Sequence, residues 1–136
     1  MDPISIIGLL ASLTTLIEAS NSVCNALKTF KDTIKEIAEI ADNVSVFTEA
    51  LKGFDRILRG RQTMHRISPT VIRNALDNSQ DTIKDLEKRL LQISNRESST
   101  MRRMKWVQQK PEFKKLLDQL KEQNAVLQTF LALTHA

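Results

Sequence analysis

The first basic residue of the chain is Lys28, and only two charged side chains, Asp2 and Glu18, precede it. Between them residues 3–17 (Pro-Ile-Ser-Ile-Ile-Gly-Leu-Leu-Ala-Ser-Leu-Thr-Thr-Leu-Ile) carry no charge. All 20 lysines and arginines lie beyond that segment, beside 14 acids, so a net of −2 stands in front of a body of +6. A helix that is apolar nearly all round settles in a protein core or in a bilayer. The uncharged run falls short of the roughly 20 residues that cross hydrocarbon, and extending it to Leu27 takes in Glu18.

The rest of the composition narrows the fold. The chain has 136 residues, near the size of one domain, so a single domain over 1–136 is expected. No Tyr, one Trp, three Gly and three Pro leave little for sheets and their turns. An all-α, up-down four-helix bundle is expected, with a short extra helix near Trp106 and a long apolar N-terminal helix. Cys24 is the lone cysteine, which fits a reducing compartment and a small apolar core role. The start lacks the basic n-region of a signal peptide.

Helical spacing places the elements. Helix one opens at Pro3 behind an Asp2 cap. Within it Gly8, Ser12, Thr15, Ala19, Ser22 and Ala26 recur at 4-3-4-3-4, a ridge of small side chains that lets another backbone approach. Helix two is expected from an Asp32 cap to Leu58, with Arg59-Gly60 as its stop. Helix three opens at Ser68-Pro69 and carries Ile72, Leu76, Ser79, Ile83, Leu86, Leu90 and Ile93 at unbroken 4-3 spacing. Its other face holds Asp81, Lys84, Asp85, Lys88 and Arg89, spaced to pair along the helix. Residues 95–100 read as a loop, Met101–Gln109 as the short helix, with Met101, Met104 and Val107 capping the bundle end beside Trp106. Helix four follows from Lys110-Pro111 through Phe113, Leu117, Leu120, Asn124, Leu127 and Leu131, widened by Leu116, Phe130 and Leu133.

Up-down topology brings Arg56, Arg59, Arg61 and Arg66 to the end that holds Ile4, Ile6 and Ile7. That pairing suits an anionic leaflet. Glu18 is either a solvent-facing glutamate or, in a membrane, a group that must face a lumen or a partner. Catalysis is not expected. His65, His135 and Cys24 lack metal-ligand spacing, and no nucleophile elbow or phosphate loop occurs, so no cofactor or metal is expected either. The bases are interleaved with acids and stacking aromatics are scarce, which speaks against nucleic acid. Ser98, Ser99 and Thr100 among arginines give a weak phosphorylation signal.

Met1-Asp2-Pro3-Ile4-Ser5, followed by the Ile/Gly/Leu/Ala helix, resembles the opening of the HeLo-like N-terminal domain of fungal STAND proteins. The same class is described as the azaphilone-cluster protein N-terminal domain. Met104-Lys105-Trp106-Val107, with the later run Phe113–Leu120, is similar to that family's tryptophan and final-helix pattern. The resemblance implies a helical bundle in front of NACHT or NB-ARC receptor domains, related to HeLo and to the killer domain of the mixed-lineage kinase-like pseudokinase. It implies a cytoplasmic resting state and then self-association, arrival at the plasma membrane and insertion of the first helix, in fungal incompatibility or innate immunity. The matching element is residues 3–27, with Ile4, Ile6, Ile7, Leu9, Leu10, Leu13, Leu16 and Ile17 as the inserting side chains. The alternative is a soluble homotypic interaction module that never touches lipid.

Overall fold

The computed structural model describes residues 3–30, 34–60, 67–93 and 98–134. They form four helices, α1 (Pro3–Phe30), α2 (Ile37–Arg59), α3 (Pro69–Gln92) and α4 (Ser99–Thr134). No strand occurs among the described residues, as the composition implied.

Each helix buries a seam at spacings of four and three, the pattern that keeps an apolar stripe on one face, with one break in the alternation at Leu51–Phe54 of α2. In α1 the seam is Leu9, Leu13, Leu16, Ser20, Val23, Leu27 and Phe30. In α2 it runs from Ile37 through Ala41, Val44, Thr48, Leu51 and Phe54 to Leu58, with Phe47 widening it. The α3 seam is the one read from the sequence, without exception. Its start is also as expected, since the Ser68 hydroxyl accepts from the Thr70 N–H at 3.2 Å and Pro69 follows.

Side-chain pairs between helices give their directions. Cys24 Sγ meets the Ala41 carbonyl at 3.7 Å and Arg59 reaches Thr14, so α1 and α2 are antiparallel. Arg89 bonds Gln109 while Gln123 bonds Asn78, so α3 and α4 are antiparallel. The Phe54–Phe130 pair, with Glu36 on Trp106, makes α2 and α4 parallel, and the three relations together make α1 parallel to α3, which it meets where Arg73 lies beside Gly8. Helix direction therefore alternates, as expected. The neighbours do not follow chain order. Among the described residues α1 and α4 each pack on α2 and α3, while α1/α4 and α2/α3 lie on the diagonals. The end of α2 and the start of α3 therefore lie on a diagonal of about 14 Å for adjacent helices 8–10 Å apart, less than the roughly 30 Å that the intervening residues could span if fully extended.

Four sequence expectations change. First, α1 runs past Leu27 to Phe30 and occupies one corner of the bundle instead of its centre. Second, α2 starts at Ile37 rather than after Asp32, which, like the Asp2 cap, lies outside the described residues. Third, the Trp106 segment is the beginning of α4 and not a separate helix. Pro111 removes one N–H donor inside α4, but the carbonyl that loses it belongs to Val107, on an exposed turn where water can serve. Trp106, Phe113, Leu120 and Leu127 stand seven apart on one buried line, and the Trp106 and Phe113 rings are 4.9 Å apart, so packing holds both sides of the proline in register. Fourth, Met101, Met104, Val107 and Leu133 are exposed and do not join the cap or the seam.

Trp106 locks the base of α4 to the start of α2. Its indole N–H donates to the Glu36 carboxylate, which Lys110 also approaches at 3.5 Å. Glu36 is consequently held below the ordinary glutamate range, first by the indole donor and further by the charges of Lys110 and Lys114, against an opposing effect of desolvation. A carboxyl depressed in the folded state adds stability that is full above its unfolded pKa and is lost as pH falls through the folded one. Because the pair is solvent-exposed, the effect is below about 1 kcal/mol. Glu36→Gln is therefore expected to be slightly less stable than wild type at neutral pH, and urea midpoints of the two should converge in acid. A constant gap would overturn this account.

Candidate functional site

Four chain segments meet at one end of the bundle: the start of α1, the end of α2, the start of α3 and the end of α4. Ile4 is 83% exposed and Ile7 67%. Apolar side chains this open to water are worth explaining only where they cluster. Here Val71 on α3 and Leu133 on α4 are also exposed at the same end.

The expected arginines divide. Arg56 is exposed on α2, beside a groove of about 870 Å³ between α2 and α4. Arg59 is exposed and pairs with Asp55 at 2.8 Å while reaching Thr14 of α1 at 3.5 Å. Arg61 and Arg66 lie outside the described residues. Sequence reasoning missed Arg73, an exposed side chain on the first turns of α3. A Cβ on Gly8 would stand 2.8 Å from its guanidinium, which places the flexible tip of Arg73 directly over α1. Chain order alone could not find it, because the α1/α3 pairing joins helices that are not consecutive.

The eight residues expected to insert fall on different sides of α1. Leu9, Leu13 and Leu16 belong to the core; Ile6, Leu10 and Ile17 are half-buried; Ile4 and Ile7 face water. The small-residue ridge sits one position behind the core seam and so beside it. Gly8, Ser12, Ala19 and Ala26 are half-buried, whereas Thr15 and Ser22 are exposed. Glu18 is exposed, on the outer face with Thr14, Asn21 and Asn25. From Ile4 to Phe30 the helix is nevertheless long and apolar enough to cross a membrane by length and composition, a test that soluble core helices also pass.

Ser20 was not singled out in the sequence. It occupies a seam position between Leu16 and Val23, is fully buried, and its hydroxyl finds no partner among the described residues. A buried unpaired hydroxyl costs about 1–3 kcal/mol. Ser20→Ala is therefore expected to stabilise the fold by about 1 kcal/mol, or roughly 3 °C in melting temperature. A lower melting temperature would show that the hydroxyl is satisfied.

No cluster of His, Cys, Asp or Glu able to hold a metal occurs among the described residues. Cys24 is buried in the core. Ser98 accepts from the Met101 N–H at 3.2 Å and so caps α4.

Residues 10–126 match the family model SesA, described as an N-terminal domain on NACHT_NTPase and P-loop NTPases. The chain belongs to the SesA family. No curated protein and no solved structure matches it. Membership agrees with the resemblance to N-terminal helical domains of STAND proteins, and it makes this SesA domain a signalling-type module associated with a nucleotide-hydrolysing domain.

Proposed function

We propose that this domain is a membrane-targeting, cell-death-inducing module that acts after self-association, with HeLo-like kinship and a role in fungal incompatibility or innate immunity. The observation that carries the reading is the shared end: Ile4 and Ile7 stand in water at the end of the bundle that also holds the exposed Arg56, Arg59 and Arg73. Isoleucines enter the acyl boundary while the arginines hold the anionic leaflet, each contributing about 1 kcal/mol. The domain rests in the cytoplasm, is released by its C-terminal nucleotide-binding partner, and reaches the plasma membrane. There α1 exchanges its seam contacts for lipid. Glu18 must then face a lumen or another copy, because a charge in hydrocarbon costs at least ~2.5 kcal/mol.

Flotation on phosphatidylserine vesicles, with phosphatidylcholine vesicles as control, tests this reading. Wild type is expected to float only with the anionic lipid. Replacing Arg56, Arg59 and Arg73 together by alanine should weaken binding roughly a hundredfold. Wild type that stays at the bottom of the gradient with either lipid overturns the proposal.

One observation favours a second reading, a soluble homotypic interaction module. The outer face of α1 beyond its tip is polar (Thr14, Thr15, Glu18, Asn21, Ser22 and Asn25), as suits a helix that stays in water. Under that reading the chain self-associates with no lipid dependence.

A further inference from the structure

Two surfaces on opposite halves of the bundle complement each other in charge and in apolar content, and no contact within one copy can join them. The first is a groove of about 560 Å³ between α3 and α4. Val126 and Phe130 supply its apolar wall, and its only charged lining residues are Asp81, Asp85 and Glu122. Gln123 sits in its floor, its amide nitrogen donating to the Asn78 carbonyl and the Thr82 hydroxyl. Among the described residues, the groove lining therefore carries acids and no cation.

The second surface is the first three turns of α4. Residues 98–111 contain Arg102, Arg103, Lys105 and Lys110 and no acid. Met101, Met104 and Val107 are spaced three apart and are exposed, Met104 by 55% and Val107 by 69%. Helical geometry puts Arg103 and Lys105 on the two sides of Met104. Methionine adapts to irregular apolar surfaces, and an apolar strip flanked by bases is what an acidic groove with an apolar wall accepts.

We infer that the occupant of the α3/α4 groove is the basic foot of α4 from a second copy of this chain. The groove lies toward the Ile4 end of the bundle and the foot at the other. Met101 and Met104 stand five helical turns before Gln119 and Glu122 and so share their face of α4. Two copies laid antiparallel can make the contact twice in a closed dimer, while a single contact per pair would repeat head to tail. This deepens the self-association in the proposed function and does not depend on lipid.

Sedimentation of the 136-residue chain over a concentration series tests it. Two neutralised variants are made: Asp81→Asn with Asp85→Asn and Glu122→Gln, and Arg103→Gln with Met104→Ser and Lys105→Gln. Wild type is expected to exceed monomer mass, less so at high salt, which screens the charges. Each variant alone should associate at least tenfold more weakly while its helical circular-dichroism spectrum shows it still folded. Mixed together they should form a one-to-one complex tighter than either variant forms alone, because one intact groove and one intact foot remain. A wild type that stays monomeric, or variants that assemble like wild type, would each overturn the inference. Vesicle flotation of the same variants reads the lipid proposal separately.

Discussion

Ile4→Asp combined with Ile7→Asp is expected to abolish recovery of the domain with phosphatidylserine vesicles while its melting temperature moves by no more than about 2 °C. The asymmetry follows from exposure. Both side chains are largely in water in the folded bundle, so the fold loses almost nothing when they become polar. On a membrane each isoleucine would contribute about 1.5–3 kcal/mol by leaving water. Losing both, and gaining two negative charges against an anionic surface, removes at least a hundredfold in binding by the usual conversion of free energy. Unimpaired flotation would sink the docking reading and leave the soluble module standing. A large fall in melting temperature would instead mean that the tip packs more tightly than its exposure indicates.

The largest expected loss of stability is at Phe54. Its ring is fully buried, lies 6.0 Å from that of Phe130, and ties α2 to α4 at the same end of the bundle. Phe54→Ala removes that pair and leaves a cavity in a close-packed interior, at about 3–5 kcal/mol. For a domain of this size that amounts to a fall of roughly 10–15 °C. Val46→Ala on the same helix is the control, since Val46 is exposed and should change stability by less than about 0.5 kcal/mol. Urea denaturation of both variants is sufficient. A cost at Phe54 under about 1 kcal/mol would mean that the α2/α4 contact is looser than the geometry shows.

The helical seams were the most legible feature. Ile72 to Ile93 could be read position by position, because a polar face opposite the stripe leaves one way to orient α3. In α1 the same reading was ambiguous. Its side chains are apolar on too many sides, so hydropathy did not distinguish Leu9, Leu13 and Leu16, which enter the core, from Ile4 and Ile7, which do not. The signal was present in the spacing, where the seam continues through Ser20; a polar residue hid it. The proline of α4 misled for a related reason. Pro111 is a local stop signal, yet the line from Trp106 to Phe113 holds the helix in phase across it. The helix-three charges also behaved otherwise than expected, since Arg89 turns to Gln109 and Glu112 of α4.

The arginine end was half legible. That Arg56 and Arg59 share it with Ile4 follows from alternating helix directions, which chain length between helices already imposes. Arg73 joined them only when α3 was found beside α1. What the amino-acid order determines here is each helix and the stripe it must bury, because period and polarity are properties of a single helix. Which helices then become neighbours is decided in three dimensions. Four similar stripes can close around one core in more than one cyclic order, and the order found here, with α1 opposite α4, depends on how side chains of different helices interdigitate, which no single helix specifies.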